Sequence, residues 1–212
     1  MSDGNGCMSR LITFEGGDGC GKSTQLRLTA DWLRAQGYMV LETRQPGGSE
    51  LGQEIRNLLL SHAFEPVPAC ELLLFLADRV QHVQTVIKPA LAQGDWVLCD
   101  RYSDSTWAYQ WAARALSNNV ELAPMLAFAE QGVRPSRTFW LDLPVEQALA
   151  RMAQRSQTGE ASNRLDDESM LFHQRVYAAF QDVYQREPER VIRIDACADI
   201  DKVQQDIRQQ WR

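Results

Sequence analysis

The sequence predicts an α/β fold in which a five-stranded parallel sheet is flanked by helices on both faces. Five short apolar runs alternate along the chain with longer segments of helical periodicity. The runs lack the apolar–polar alternation of half-exposed strands, as expected for strands that helices cover on both sides. A glycine-rich segment separates the first run from the first helical segment. This alternation is typical of parallel sheets joined by right-handed crossovers.

The individual elements follow from these patterns in chain order. The first helical segment, 22–36, carries Leu26, Ala30 and Leu33 on one face. The longest helical segment is 70–91, and it follows a proline-rich turn. The five predicted strands are 11–14, 39–41, 96–99, 138–141 and 191–194.

The chain is long enough for one compact domain. Its 212 residues are 44% hydrophobic and 24% charged, which suits a single buried core. We expect one domain over 10–212, with a flexible tail over 1–9. A small mobile flap is expected over 155–163, where small polar residues accumulate.

Charge and apolar content exclude several classes of function. A net charge of -6 leaves no excess of cations for gripping a nucleic-acid backbone. No apolar run is long enough to span a membrane. The five cysteines are scattered, with neither the spacing of a metal site nor that of a disulfide framework. We therefore expect a cytoplasmic protein without nucleic-acid or membrane partners.

The segment FEGGDGCGKST at 14–24 fits the phosphate-binding pattern G-x-x-x-x-G-K-[ST]. It follows a predicted strand and opens a predicted helix, so its backbone N–H groups and the helix dipole can hold an anion. Lys22 would reach the β- and γ-phosphates of ATP, and the Ser23 hydroxyl would bind Mg²⁺. The alternative is a structural glycine turn. The residues predicted to surround the ATP phosphates are Gly16, Gly17, Asp18, Gly19, Cys20, Gly21, Lys22, Ser23 and Thr24.

A phosphate-binding loop leaves several classes of protein open. A GTPase switch lacks support, because the sequence has no guanine-reading N-K-x-D and no D-x-x-G after the loop. A kinase for a small acceptor is the leading class, and it includes nucleoside and nucleoside monophosphate kinases. A module that binds nucleotide to control an interaction is the alternative from a different class.

Further segments resemble the thymidylate kinase family, whose members phosphorylate dTMP to dTDP with ATP. They are GGDGCGKST at 16–24, TRQPGGS at 43–49, FLADR at 75–79, DRYSDSTWAYQ at 100–110 and RIDA at 193–196. Their order and spacing carry the resemblance, which runs from residue 10 to the C-terminal region. It implies the P-loop fold of nucleoside monophosphate kinases, ATP and dTMP as substrates, Mg²⁺ as the metal, and a homodimer packed through helices.

The resemblance assigns the acceptor base to the long helix and the turn before it. Phe75 and Arg79 are four residues apart and share a helix face. By resemblance, Phe75 stacks on thymine and Arg79 binds its edge; the alternative is a core Phe75 and a surface Arg79. Arg44 matches an arginine near the acceptor phosphate. Gln45 replaces the usual glutamate, a change expected to bear on the orientation of Arg44.

Residues after the third strand are expected to complete the acceptor site. Arg101 is expected to bind the dTMP phosphate, and Asp100 to serve Mg²⁺ with Ser23; the alternative is a structural Asp100–Arg101 ion pair. By resemblance Asp18 approaches the acceptor's 3′-hydroxyl, and the ring of Tyr109 excludes a ribose 2′-hydroxyl. The residues matching the thymidine-lining segment are Ser105, Thr106, Tyr109 and Gln110.

Some thymidylate kinases carry a basic residue in the phosphate loop where this chain has Gly19. The cation for the transition state is therefore expected from a lid around 151–167, as the resemblance to the bacterial type implies. Arg155 and Arg164 are the preferred candidates, and Arg151 is expected to be solvated. An arginine that meets the transferring phosphoryl group is worth roughly 10³ to 10⁵ in rate in related chemistry.

Overall fold

The structure is a computed structural model that describes residues 9–116, 121–157 and 162–211. The predicted tail over 1–9 lies outside this range except for Ser9. Residues 158–161 of the predicted lid also lie outside it. Within the described ranges, no helix combines the length and apolar character that crossing a bilayer requires.

The predicted five-stranded parallel sheet is confirmed. Its strand order is β2-β3-β1-β4-β5, and each neighbouring pair runs parallel. Each strand extends one to three residues beyond the carboxyl end of the apolar run that predicted it. The strands are β1 Leu11–Glu15, β2 Val40–Arg44, β3 Trp96–Asp100, β4 Arg137–Asp142 and β5 Val191–Asp195.

The helices fill the connections between strands, as predicted. The predicted long helix, 70–91, is a continuous helical rod in which the π-helical segment Val83–Ile87 joins α3 to α4. Pro89 follows this segment, and its missing N–H removes one backbone hydrogen bond from the rod. A second π-helical segment, Thr106–Ala113, follows the short helix α5. The helices are α1 Lys22–Ala35, α2 Glu50–Leu60, α3 Pro68–His82, α4 Lys88–Gln93, α5 Ser103–Ser105, α6 Leu122–Glu130, α7 Val145–Gln157, α8 Met170–Arg186 and α9 Ile200–Gln209.

Neighbouring residues of one strand enter different core clusters, because their side chains point to opposite faces of the sheet. Ile12 and Phe14 of β1 pack with α1, α7 and α9, whereas Leu11 packs with the Val83–Ile87 segment and α4. On that second side, Trp140 of β4 packs with α8 and Thr106–Ala113. Both faces of the sheet are therefore covered by helices.

An aromatic cluster closes the end of the sheet opposite the phosphate loop. Trp211 contacts Trp96, the first residue of β3, with ring centroids 5.2 Å apart. It also meets Trp32 of α1 at 5.7 Å and stacks on Phe139 of β4 at 6.0 Å. Trp211 thus packs against residues of α1, β3 and β4 that are far from it in the sequence.

Candidate active site

The candidate site lies at the carboxyl ends of β1 and β3, the two strands at the centre of the sheet. Connections leave these strands toward opposite edges, and ligands collect at such a point in open α/β sheets. The phosphate loop follows β1, and Asp100 and Arg101 stand at the end of β3. Two distant sequence motifs therefore meet there.

The phosphate loop depends on glycines at two close contacts. Gly16 has a φ of 134°, and a Cβ there would lie 2.6 Å from the carbonyl oxygen of Leu141. Lys22 is buried, and its Nζ donates to the carbonyl oxygens of Gly16 at 3.2 Å and Gly17 at 2.8 Å. The lysine is thus held over the concave side of the loop, where the phosphates of a nucleotide would lie.

The geometry at Gly19 explains why no basic side chain stands at this position of the loop. Its φ is 80°, and a Cβ there would lie 2.6 Å from the carbonyl oxygen of Ala148 in α7. Any side chain at this position would collide with backbone that cannot move as a side chain can. Position 19 therefore cannot supply a cation to the site.

The two residues predicted to serve the metal contact each other. The Ser23 hydroxyl donates to Oδ2 of Asp100 at 2.6 Å. A hydroxyl and a carboxylate are hard oxygen ligands, which suit Mg²⁺ when phosphate oxygens and water complete its shell. No group of three or more His, Cys, Asp or Glu in the described ranges is arranged to hold a metal. The residues present therefore fit a metal that arrives with the nucleotide.

Arg101 joins the phosphate loop to the acceptor side. It has a φ of 71°, an unusual conformation for a residue with a side chain. Nη2 donates to Oδ1 of Asp18 at 2.6 Å and to the hydroxyl of Tyr109 at 3.0 Å. The Tyr109 hydroxyl donates in turn to Oδ2 of Asp18 at 2.7 Å. The alternative of an Asp100–Arg101 ion pair is wrong, because each residue has a different partner.

Asp18, Arg101 and Tyr109 form a hydrogen-bonded triad whose protonation states are fixed. Burial alone would raise the pKa of Asp18, but Arg101 and Lys22 outweigh it and hold that pKa well below its usual range. Burial raises the pKa of the Tyr109 phenol well above its usual range, so the hydroxyl keeps its proton. Asp18 is thus a permanent anion between two cations.

Glu15 is a functional candidate that the sequence analysis missed. It is fully buried at the end of β1, where Oε2 accepts from the Ser105 hydroxyl at 2.5 Å and Oε1 from the Tyr102 N–H at 2.6 Å. Ser105 Oγ also accepts from Arg101 Nη1 at 3.0 Å. Burial, with Asp104 nearby, raises the pKa of Glu15 to about 7. A charged residue inside a strand otherwise rich in apolar side chains was the available signal.

A cavity lies beside this triad, with a volume of about 540 Å³ that includes open solvent. Phe75 and Arg79 line it, and Arg79 is buried with 2% of its surface exposed. The alternative of a surface Arg79 is therefore wrong. Thr106 accepts from Arg79 Nη2 at 2.9 Å, and Gln110 donates to Glu71 at 3.1 Å. The predicted residues that line the cavity are Asp18, Phe75, Arg79, Arg101, Ser105, Thr106, Tyr109 and Gln110.

The effect expected of Gln45 on Arg44 is not what the contacts show. The Gln45 carboxamide is buried and accepts from Arg79 Nε at 2.8 Å. Arg44 is exposed at the end of β2 and lines the adjoining cleft. The sequence analysis missed Arg56 of α2, which lines both the cavity and the cleft and donates to the Pro46 carbonyl at 3.0 Å. An arginine in the second turn of the helix that follows the PGG turn was the only signal for it.

The adjoining cleft is larger and more open, with a volume of about 2530 Å³ that includes open solvent. Phosphate-loop residues, Asp100 and Arg155 line it, together with Ala196 and Ala198 after β5. Arg151, expected to be solvated, lies at this cleft, and its Nη2 donates to the Ala196 carbonyl at 3.1 Å.

Arg164 lies on the acceptor side in this structure. It donates to Glu71 Oε2 at 2.5 Å and to the Leu59 carbonyl at 3.2 Å. Glu71 is fully buried and also pairs with Arg114 at 3.1 Å. The two preferred lid arginines are thus separated, because Arg155 faces the cleft and Arg164 is tied to α3.

Comparisons with known proteins agree with this geometry. The family model described as thymidylate kinase matches residues 14–207. The thymidylate kinase of Gloeobacter violaceus is 43% identical over 198 residues, covering 93% of this chain and 92% of the relative. That of Synechococcus sp. strain JA-3-3Ab is 47% identical over 186 residues, covering 88% and 87%.

A solved structure extends the comparison to three dimensions. The crystal structure of thymidylate kinase from Ehrlichia chaffeensis superposes with a TM-score of 0.72 at 32% identity, covering 95% of this chain and 97% of that chain. Sequence and fold lead to the same assignment, and the chain belongs to the thymidylate kinase family.

Proposed function

We propose that this chain transfers the γ-phosphoryl group of ATP to the phosphate of dTMP, giving dTDP and ADP. The observation that carries this proposal is the Asp18–Arg101 ion pair, 2.6 Å long, which joins the phosphate loop to the cavity lined by Phe75 and Tyr109. One arginine can therefore touch the acceptor phosphate while the lysine of the loop holds the donor. Phosphoryl transfer depends mainly on such positioning and on charge stabilisation.

On the donor side, the loop N–H groups and Lys22 bind the ATP phosphates. Lys22 leaves the Gly16 and Gly17 carbonyls for the more strongly accepting phosphate oxygens. Ser23 and Asp100 would hold Mg²⁺, and the ion would supply positive charge against the charge that develops on the phosphates. Arg155, on the cleft wall at the end of α7, supplies the cation that Gly19 cannot.

On the acceptor side, the cavity suits a flat pyrimidine. Phe75 offers a ring face, and Arg79 Nη1 is a buried donor with no partner among the described residues. A buried donor without a partner is costly unless a ligand accepts from it. A thymine carbonyl would accept from it, while Arg101, Arg44 and Arg56 surround the dTMP phosphate.

The decisive test offers dTMP, dUMP, dCMP, dGMP and thymidine with ATP and Mg²⁺. We expect phosphorylation of dTMP, with weaker activity on the other monophosphates. Phosphorylation of thymidine but not dTMP would establish a deoxynucleoside kinase instead. A rise in Tm on adding dTMP without ATP would separate both kinases from a nucleotide-gated module.

Homodimer formation is a second proposal, supported by exposed apolar side chains on helices that contact each other. Leu73 of α3 is 57% exposed and Phe128 of α6 is 70% exposed. A second copy packing on these helices would cover both side chains. Sedimentation should give twice the chain mass for the wild type and a lower mass for Leu73→Lys. The cytoplasmic location stays a prediction.

A further inference from the structure

We call the cavity lined by Phe75 and Arg79 the acceptor cavity. At its wall, a row of buried hydrogen bonds runs from β2 to α3. Arg79 Nε bonds to Gln45 Oε1 at 2.8 Å, Gln45 Nε2 to His82 Nδ1 at 3.0 Å, and His82 Nε2 to Thr43 Oγ1 at 2.7 Å. Gln45, Arg79 and His82 are each exposed by 4% or less. Water therefore has little access to these groups, and each must find its partner within the protein.

The direction of every bond in this row follows from Arg79. A guanidinium can only donate, so the atom of Gln45 that faces Arg79 must be the carboxamide oxygen. The carboxamide nitrogen then faces His82 and must donate to Nδ1. His82 Nδ1 consequently carries no proton, and the neutral ring donates through Nε2 to Thr43.

The row leaves one arm of Arg79 for a ligand. Nε is bound to Gln45 and Nη2 to Thr106 at 2.9 Å, which together fix the plane of the guanidinium. Nη1 is buried and has no partner among the described residues, and Arg79 belongs to the wall of the acceptor cavity. The plane of the guanidinium that carries Nη1 is thus set by Gln45 and Thr106.

The turn after β2 is shaped around the ring of His82. A Cβ on Gly48 would overlap the His82 ring and would lie 2.6 Å from the carbonyl oxygen of Arg44. The ring is therefore clamped between the turn and Thr43, so it cannot swing away to release Gln45.

We propose that Gln45 is a positioning residue that aligns Arg79 for the base of dTMP and simultaneously fixes His82 as the neutral, Nε2-protonated tautomer. A carboxylate at position 45 could accept from Arg79 but could not donate to Nδ1. Gln45 therefore couples base recognition to the protonation state of His82, and its role rests on the proposed function of Arg79 in binding dTMP.

The electrostatic surroundings favour the neutral ring. Burial, with the charge of Arg79 beside it, lowers the pKa of His82 to about 4. Asp78, on the same helix, binds the Gly47 N–H at 2.9 Å, and burial raises its pKa to about 6. From β2 and its turn, the groups facing the ring are the neutral Thr43, Gln45 and Gly48. Alignment of Arg79 should therefore persist throughout the neutral pH range.

The tautomer gives a readout that a purely structural role would not change. Nitrogen-15 NMR of the wild-type enzyme at pH 7 should show the His82 ring protonated at Nε2 and not at Nδ1, with His82→Asn assigning the signals. Gln45→Glu should move the proton onto Nδ1, because a carboxylate there accepts from the ring. The proposal would be overturned if the His82 ring is protonated at Nδ1 in the wild type, or if it is not protonated at Nδ1 in Gln45→Glu.

Ligand binding gives the second readout. Gln45→Leu should raise the Kd for dTMP about tenfold, as loss of a hydrogen bond to a charged group implies, with the Kd for ATP unchanged. Gln204→Leu is the matched control, because Gln204 is equally buried but bonds to Thr29 on the other face of the sheet. It should leave both Kd values unchanged.

A folded Gln45→Leu enzyme with the wild-type Kd for dTMP would also overturn the proposal. If Gln45→Leu does not fold, the tautomer of the His82 ring in Gln45→Glu decides the question alone. A wild-type enzyme that fails to bind dTMP would reject the proposed function instead, which keeps the two failures distinct.

Discussion

The acceptor cavity and the donor cleft are built in different ways, although they share Asp18 and Arg101. The cavity is the smaller of the two, and its polar groups are buried and mostly bound to each other. The cleft is several times larger, and Lys22 binds the carbonyl groups of its own loop. The polar groups of the cavity are thus held in place by one another, whereas Lys22 would have to leave its loop carbonyls to reach a phosphate.

The strongest test of this contrast is Lys22→Ala. Because Lys22 would contact the charge that develops on the phosphates, its loss should lower kcat on the order of 10³-fold. The Kd for dTMP should hardly change, since the acceptor cavity does not include Lys22. Steady-state kinetics and calorimetry would measure both values. Lys88→Ala on α4 is the control, and near-normal turnover by Lys22→Ala would refute the donor assignment.

Replacing the two lid arginines should affect different sites, Arg155 the donor cleft and Arg164 the acceptor cavity. Arg155→Ala should reduce kcat on the order of 10²-fold, because one charge donor to the transferring group is lost. Arg164→Ala should instead weaken dTMP binding and lower Tm, because it leaves Glu71 with one fewer cation. Pre-steady-state kinetics with both variants would check this. A larger kcat loss for Arg164→Ala would place Arg164 over ATP.

Two substitutions of Tyr109 distinguish its hydroxyl, which bonds to Asp18, from its ring, which is proposed to exclude the ribose 2′-hydroxyl. Tyr109→Phe removes the bond to Asp18 but keeps the ring, so kcat/KM for dTMP should fall about tenfold with the preference over ribo-TMP unchanged. Tyr109→Ala removes the ring and should reduce that preference. Competition between the two nucleotides measures the difference. An unaltered preference in Tyr109→Ala would show that the ring does not exclude the 2′-hydroxyl.

The last test concerns Glu15, and its effect is on stability and its change with pH. Its pKa is raised from 4.5 to about 7, so the folded protein holds the proton more tightly than the unfolded chain. The wild type should therefore lose stability as pH rises from 4.5 to 7. The free energy of unfolding of Glu15→Gln, relative to wild type, should rise by roughly 3 kcal/mol across that window.

Urea unfolding at pH 5 and pH 8 would measure this difference. Glu146→Gln, on the exposed first turn of α7, controls for loss of a carboxylate without burial. A difference between Glu15→Gln and wild type that stays constant with pH would mean that Glu15 is already ionised at pH 5.

What could be predicted from sequence follows from how local each feature is. The five strands and the phosphate loop depend on periodicity and fixed spacing within about ten residues, so they were visible. Glu15 contacts Ser105 across 90 positions, and no local pattern announces such a partner. Gln45 was noticed as a departure from the family, but its partner Arg79 was identified only by the packing of β2 against α3. Buried polar partners are set by tertiary contacts.

The aromatic contact of Trp211 also bears on how the chain folds as it is synthesised. Trp211 meets Trp32 and Phe139, so the base of the sheet gains its last ring only after nearly the whole described chain exists. Contacts of such long sequence separation form late and slow the folding of a domain. A nascent chain still held near residue 211 by the ribosome would therefore expose apolar surface at the base, although its phosphate loop had already emerged.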